Sequence, residues 1–273
     1  MDAGLTPIKL EKAQFERISQ LVHHLTGINL HPGKEGLVNA RLTKRLRVLG
    51  LKSFDAYMEY LKRANPEGEL VAMIEAMTTN KTSFFREPQH FDYLARQIVP
   101  GLKNRKIRIW SAGCSSGEEP YSIAMLLNET IQNPALWDIR ILATDLSNRT
   151  VARGRKGTYD TSHLQDVPPL LISKYFTCIE TKPVRSYQLV EPVRRLVHFA
   201  QLNLMEEWPM SGPFDAIFCR NVMIYFDKST QERLVSRFWK LLKPGGHFFV
   251  GHSESLTGAS HKFRYVQPAI YLK

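Results

Sequence analysis

Residues 107–122 read Ile-Arg-Ile-Trp-Ser-Ala-Gly-Cys-Ser-Ser-Gly-Glu-Glu-Pro-Tyr-Ser, and residues 142–145 read Leu-Ala-Thr-Asp. The apolar run at 107–110 predicts a strand, the small residues at 111–117 a turn, and Glu118 the start of a helix. A second predicted strand, 139–143, leads to Asp145. A glycine turn after a strand lets a ligand lie against bare backbone, and an acid ending the next strand can bind ribose hydroxyls. This order predicts a nucleotide-cofactor site in an enzyme.

The residues before and after this stretch predict different kinds of structure. Helical periodicity in residues 10–80 predicts four helices, at about 15–25, 34–49, 53–61 and 67–78. The predicted buried stripe of the second helix is Leu37, Val38, Leu42, Leu46 and Leu49. A polar connector (79–90) leads to a helix at 90–98. Further strands are predicted at 197–202, 214–219, 247–251 and 269–272, with a helix at 229–242. Alternating strands and helices predict a mostly parallel α/β sheet, and the segment at about 155–195 lies outside that alternation as a small β insertion.

Composition and charge restrict the class of protein. The chain has 273 residues, 43% hydrophobic and 23% charged, and no uncharged apolar window of 18 residues. Its charged N-terminus is unlike a signal peptide. Three scattered cysteines lack the spacing of a metal site and suit a reducing compartment. We therefore expect a cytoplasmic protein that neither inserts into a membrane nor carries a metal.

The positive charge is concentrated in a few places. The net charge is +11 and the pI is about 9.6, which indicates an acidic partner. Residues 34–52 hold six basic residues against Glu35 alone. On the helix at 34–49, Arg41, Lys44 and Arg45 share one face, which is either a docking surface or an ordinary solvated face.

The turn at 113–117 allows three interpretations. As Gly-x-Ser-x-Gly it matches the nucleophile elbow of α/β-hydrolases, with Ser115 as nucleophile. As a loosened glycine-rich loop it could bind a dinucleotide pyrophosphate. It also fits the shorter turn of S-adenosylmethionine enzymes. Two carboxylates, Glu118 and Glu119, follow it; they would repel a pyrophosphate and attract a cationic amino group and sulfonium, so the third interpretation is favoured.

Other candidate residues follow the remaining strands. Asp145 is either a ribose ligand or a helix cap assisted by Ser147. The strand at 214–219 delivers Arg220, Asn221 and Tyr225 to the carboxyl edge of the sheet, where ligands bind. The Asn lacks the Pro-Pro-Tyr that base-methylating enzymes place after it, so a nucleic-acid substrate is not expected. Asn203-Leu204 could meet an adenine edge or form a plain loop.

Five blocks together resemble the CheR family of chemotaxis receptor methyltransferases. They are Asn80–Glu87, Trp110–Ser122, Ala143–Leu146, Phe214–Phe226 and Gly251–Ser255, in the family's order. The resemblance covers essentially the whole chain. It implies a class I S-adenosylmethionine methyltransferase fold, Rossmann-like with a mostly parallel sheet, plus an N-terminal all-α domain and a small β insertion. The implied domains are 1–90 for receptor docking, with the connector, and 91–273 for methyl transfer.

The resemblance also implies roles for individual residues. Asn80, Thr82 and Arg86 would sit over the cofactor, and Gly113 and Glu118 would hold its methionine end, although Glu119 could also reach. Asp145 would hold the ribose, and Asn203, Leu204, Arg220 and Asn221 would surround the adenine. Arg86 and Tyr225 would face the transferred methyl group as catalytic residues, and Arg41, Lys44 and Arg45 would dock the receptor.

The implied reaction is O-methylation of glutamate side chains on the cytoplasmic domain of methyl-accepting chemotaxis receptors, leaving S-adenosylhomocysteine. We expect a monomer. The turn region Cys178–Ser186 of the insertion has no glycine, unlike that of members that tether to a receptor peptide, so tethering is left open. The alternatives are a serine hydrolase using Ser115 and a non-catalytic module that binds S-adenosylmethionine or receptors.

Overall fold

In a computed structural model, which describes residues 8–63, 67–77, 81–102 and 104–273 and only the backbone of Glu67, the chain divides into two units. The helical unit comprises Met1–Thr79 and Tyr225–Asp227, and the sheet unit comprises Asn80–Ile224 and Lys228–Lys273. No helix in the described ranges has the length and apolar character needed to cross a bilayer.

In its described ranges the helical unit has four helices, α1 (Lys12–Thr26), α2 (Glu35–Val48), α3 (Phe54–Arg63) and α4 (Glu67–Met77). The α1 helix ends at Gly27, whose φ of 74° suits glycine. On α2 the residues Val38, Leu42 and Leu46 are fully buried. The prediction for Leu37 is wrong, because a stripe spaced by four residues leaves position 37 at its margin, 39% exposed.

The segment Tyr225–Asp227 joins the helical unit although it lies far along the chain. The backbone N–H of Asn29 donates to the carbonyl of Tyr225 at 2.7 Å, and Ile28 forms an antiparallel bridge with Phe226. His23 and Asp227 approach to 2.8 Å. These contacts place the segment in the helical unit, although the residues just before it belong to the sheet unit.

The described residues of the sheet unit form ten strands and six α-helices. The strands are β1 (Lys106–Ala112), β2 (Asp138–Asp145), β3 (Thr158–Asp160), β4 (Phe176–Glu180), β5 (Ser186–Leu189), β6 (Val197–Gln201), β7 (Phe214–Cys219), β8 (Leu242–Val250), β9 (Arg264–Gln267) and β10 (Ile270–Leu272). The helices are α5 (Pro88–Tyr93), α6 (Glu118–Thr130), α7 (Asn148–Lys156), α8 (Pro169–Tyr175), α9 (Glu191–Arg194) and α10 (Lys228–Leu241).

Seven strands form the main sheet, in the order β6-β2-β1-β7-β8-β10-β9. The first five are parallel to one another, and β10 is antiparallel to both of its neighbours. This confirms the predicted mostly parallel sheet. Strand β7 is buried at every residue, as expected for a central strand covered on both faces.

The insertion forms a separate three-stranded antiparallel sheet in the order β3-β5-β4. Strand β9 was not predicted, and β8 begins at Leu242 rather than His247. Gly245 and Gly246 lie within β8 and do not form a turn between α10 and the strand. They sit where the β7–β8 register shifts, so the strand continues through an irregularity.

Candidate functional site

The topology brings the carboxyl ends of β1, β2 and β7 together. Strand β1 lies between the other two, with Ala112 opposite Thr144 on β2 and Ser111 opposite Phe218 on β7. The chain order reverses between β1 and β7, and ligands bind at such a switch point in open α/β sheets. The turn after β1, Asp145 and the residues after β7 therefore lie at the edge where a ligand is expected.

The turn after β1 requires its glycines. Gly113 has φ of 85°, and an added Cβ would lie 2.3 Å from Cγ2 of Val222; Gly117 has φ of 99°, and its Cβ would lie 2.9 Å from Phe199 Cζ. The N–H groups of Gly113 and Cys114 both donate to the carbonyl of Thr144, at 2.8 and 2.9 Å. The turn is thus fixed onto the end of β2 and approaches its neighbours more closely than other residues allow.

Asp145 ties the same turn to β2 through its side chain. One carboxylate oxygen accepts from the Ser115 N–H at 2.8 Å, and the other accepts from the Ser147 N–H at 3.0 Å. The helix-cap role belongs to Ser147, whose Oγ accepts from the Thr150 N–H at 3.2 Å. Asp145 is half-buried, and its role as a ribose ligand stays a prediction.

The two acids at the start of α6 differ. Glu118 is 0% exposed, and Ser116 Oγ approaches both its carboxylate oxygens, at 3.0 and 2.8 Å. Burial raises the pKa of Glu118, which Ser116 partly counters. The Glu119 side chain keeps 13% exposure, accepts from Ser111 Oγ at 2.7 Å and pairs with Arg220 at 2.9 Å. A ligand at this edge can therefore reach Glu119 more readily than Glu118.

Arg220, predicted as a cofactor residue, is the centre of a buried ion-pair network. Its side chain is only 2% exposed and lies 3.0 Å from Glu87 and 2.9 Å from Glu119, whose side chains are 12% and 13% exposed. It also donates to the carbonyl of Arg86 and lies over the Phe91 ring at 5.7 Å. The network joins the connector before α5 to the carboxyl end of β7 and the first turn of α6.

A second buried acid, Glu254, organises the loop after β7. Its carboxylate accepts from the N–H groups of Asn221, Ile224 and Gly251, at 2.8, 3.1 and 2.5 Å. Burial raises the pKa of Glu254 against the lowering effect of these bonds. Asn221 has φ of 57°, and its side-chain amide lies 3.4 Å from Glu87. Glu87 and Glu254 were not predicted as site residues, although both lie in the stretches that resemble the CheR family, Asn80–Glu87 and Gly251–Ser255.

The remaining predicted cofactor residues lie in loops of the sheet unit. Asn203 follows β6, is half-buried and accepts from the Met205 N–H at 3.0 Å. The Leu204 carbonyl accepts from Arg237 at 2.6 Å.

The predicted residues of the connector lie before α5. Arg86 Nη1 donates to the Lys81 carbonyl at 3.0 Å, and Thr82 is half-buried. The prediction for Asn80 lies outside the described residues.

The predicted docking residues lie on α2 of the helical unit, where two have internal acceptors. Arg41 donates to the carbonyl of Met77 at 2.8 Å. Arg45 forms an ion pair with the buried Glu69, which also accepts from Tyr57 at 2.7 Å. Lys44 is exposed. Tyr225, predicted as catalytic, belongs to the helical unit, and its role stays a prediction.

Both units match known families. The model described as "CheR methyltransferase, all-alpha domain" matches residues 13–78, and "CheR methyltransferase, SAM binding domain" matches 80–272. Chemotaxis protein methyltransferases of Borreliella burgdorferi and Escherichia coli K12 are each 40% identical to this chain over 97% of its length, covering 96% and 92% of those proteins. Chemotaxis protein methyltransferase 2 of Pseudomonas aeruginosa is 42% identical over 95% of this chain and 92% of its own. The chain therefore belongs to the CheR family of chemotaxis methyltransferases, with a class I fold whose cofactor is S-adenosylmethionine.

Proposed function

We propose that the protein transfers a methyl group from S-adenosylmethionine to glutamate side chains of methyl-accepting chemotaxis receptors, giving methyl esters. The observation that carries this proposal is the placement of Arg86. Its backbone carbonyl is held by the buried Arg220, while its guanidinium makes one side-chain hydrogen bond within the described part of the chain, to Lys81. A guanidinium has five N–H donors and binds carboxylates through two of them.

The acids at the sheet edge suit the cofactor. S-adenosylmethionine carries positive charge on its amino group and sulfonium, and Asp145 and Glu119 present partly exposed carboxylates at adjacent strand ends. We propose that Asp145 binds the ribose and that Glu119, rather than Glu118, binds the amino group, because Glu118 is fully buried. Gly113, Thr82, Asn203, Leu204 and Asn221 would complete the site. Arg220 would act through Glu119.

The chemistry needs positioning more than proton transfer. When bound, S-adenosylmethionine would supply an electrophilic methyl group. A carboxylate oxygen would bond to that methyl carbon as the carbon–sulfur bond breaks, giving a methyl ester and S-adenosylhomocysteine. A glutamate side chain has an ordinary pKa of about 4.3, so the nucleophile is already ionised near neutral pH. Arg86 would hold that carboxylate, and such orientation can lower a barrier by roughly 7–11 kcal/mol. The catalytic role of Tyr225 stays a prediction.

Receptor docking would fall to α2. Its exposed Lys44 is the member of the predicted trio best placed to meet acidic groups of a partner, whereas Arg41 and Arg45 already bind internal acceptors. The charge excess of the chain supports an acidic partner. We propose the cytoplasmic domain of the receptor as that partner and a monomeric enzyme.

The hydrolase alternative is disfavoured by the charge around Ser115. The Ser115 N–H donates to the carboxylate of Asp145 at 2.8 Å. A developing oxyanion beside a hydrolytic serine needs N–H donors rather than a nearby carboxylate. The family match supports methyl transfer, and nothing favours the hydrolase or the non-catalytic module.

The test is a transfer assay with methyl-labelled S-adenosylmethionine and receptor-containing bacterial membranes. Treatment of the labelled receptor with alkali should release volatile methanol, because carboxyl esters hydrolyse under these conditions. Arg86→Ala should abolish most labelling, and Ser115→Ala should retain it. Alkali-stable label on the receptor would indicate methylation of nitrogen instead and would overturn the proposal.

A further inference from the structure

Three side chains from two distant segments converge beside the Arg220 network. Glu87 immediately precedes α5, His90 lies in its first turn, and His252 follows β8. One potential ligand atom from each lies within 4.8 Å of the others. The rings of His90 and His252 pack edge to face, with their centroids 4.9 Å apart. Because 162 positions separate the two histidines, no local spacing in the sequence revealed the cluster.

His90 is the unusual member of this cluster. It is 0% exposed, yet neither ring nitrogen has a hydrogen-bond partner among the described residues. The Nδ1 atom lies 3.6 Å from Glu87 Oε2, which is longer than a hydrogen bond. Buried polar groups are nearly always satisfied, and an orphaned pair of nitrogens beside a carboxylate points to a missing partner.

We propose that Glu87, His90 and His252 form a binding site for a divalent transition-metal ion, with Zn²⁺ as the best match. Two imidazoles and one carboxylate are a recurrent zinc ligand set, completed by water in a fourth position. Tetrahedral bonds of about 2.0 Å place ligand atoms roughly 3.3 Å apart. The cluster must therefore contract, and the exposed side chain of His252 is the member that can move.

The surroundings of Glu87 preorganise the site and also limit its affinity. The carboxylate accepts from the His252 N–H at 3.2 Å and pairs with Arg220 at 3.0 Å. Hydrogen bonds of this kind to a metal-binding carboxylate orient it toward the ion. The guanidinium of Arg220 also neutralises part of the carboxylate charge of Glu87, which would otherwise attract the metal ion. Binding of the ion should therefore pull Glu87 away from Arg220.

The experiment measures metal binding rather than activity. The full-length protein, without a histidine tag and stripped with a chelator, is titrated with ZnCl₂ by calorimetry and with CoCl₂ by visible absorption. We expect one equivalent of Zn²⁺ and tetrahedral Co²⁺ bands. His252→Ala should weaken binding at least about tenfold, whereas His198→Ala, an exposed histidine on β6, should bind like the parent protein.

Several outcomes would overturn the site. They are the absence of a one-to-one binding phase, equal affinity in His252→Ala and the parent protein, or an octahedral Co²⁺ spectrum. Glu87→Gln provides a second variant that keeps the shape of the side chain and removes its charge, and it too should weaken binding. Thermal unfolding of each metal-free variant establishes that the fold is retained.

Discussion

Replacing Arg220 by Met should destabilise the sheet unit strongly. Methionine keeps an apolar stem of similar length but leaves Glu87 and Glu119 without their cation, at side-chain exposures of 12% and 13%. Removing one partner of a buried ion pair costs about 3–5 kcal/mol of unfolding free energy. For a unit of this size that loss lowers the melting temperature by about 6–20 °C. The cation–π contact with Phe91, at 5.7 Å, adds to the loss.

The pH dependence of this loss has a definite sign. Burial alone would raise the pKa of Glu87, but the charge and hydrogen bond of Arg220, together with the backbone N–H and charge of His252, outweigh it and hold the pKa below its usual value. In the parent protein Glu87 therefore contributes stability above its unfolded pKa, about 4.3, and this contribution is lost as the pH falls through the lower folded pKa. In the Arg220→Met variant, burial raises the pKa of Glu87, so protonation of Glu87 removes the cost of its unpaired charge. The stability difference between the two proteins should shrink as the pH falls from 7 to 5.

The assay is urea unfolding followed by tryptophan fluorescence, with calorimetry to resolve the two units. Arg140→Met is the matched control, because Arg140 pairs with Asp138 at 3.1 Å on the surface, at side-chain exposures of 63% and 47%; it should cost about 0–1 kcal/mol. The triple variant Arg220→Met, Glu87→Gln, Glu119→Gln should recover at least half of the lost unfolding free energy. Equal costs for the two arginine variants, or no recovery in the triple variant, would refute the reasoning.

Three further predictions concern the site. Arg86→Ala should lower kcat by about 100-fold or more with less than about a threefold change in cofactor Kd, and Arg86→Lys should recover part of kcat; parallel losses of kcat and affinity would make Arg86 a cofactor ligand only. Glu119→Gln should raise the cofactor Kd by roughly 10–100-fold, in line with a lost charged hydrogen bond, and Glu118→Gln by less than threefold; calorimetric titration showing the opposite ranking would restore Glu118 as the ligand. Gly113→Ala should cost about 2–4 kcal/mol, because left-handed backbone strain adds to a contact of 2.3 Å, whereas Gly245→Ala, strained but with no atom within 4 Å of the new Cβ, should cost about 1–2; equal melting temperatures would contradict the proposed clash.

The sequence was informative wherever a local rule determines the structure. The β1–turn–α6–β2 arrangement was predicted because the apolar runs, the glycines and Asp145 lie within 40 residues of one another. Strand β7 was predicted at its observed bounds because it is apolar throughout and central. The central sheet follows from local patterning, since parallel strands buried on both faces are continuous hydrophobic runs.

The ion-pair network could not be predicted in the same way. Glu87 and Arg220 are 133 positions apart, and nothing in either local sequence indicates that they meet. The sequence left the choice between Glu118 and Glu119 open because both lie in the first turn of one helix. Burial distinguishes them, because Glu118 is fully buried and the side chain of Glu119 keeps 13% exposure. Long-range packing, which no local pattern records, therefore determined these site details.

The charge at the sheet edge is opposite in sign to that of the whole chain. The chain carries +11, yet Glu87, Glu119, Asp145 and Glu254 gather at the ends of the parallel strands. Glu254 accepts from several backbone N–H groups and holds the loop after β7 in place, whereas Glu87 and Glu119 both pair with Arg220. Glu119 and Asp145 keep partly exposed carboxylates. The negative charge at this edge suits a cationic cofactor even though the chain as a whole is basic, because screening in salt limits the reach of distant charges to about 10 Å.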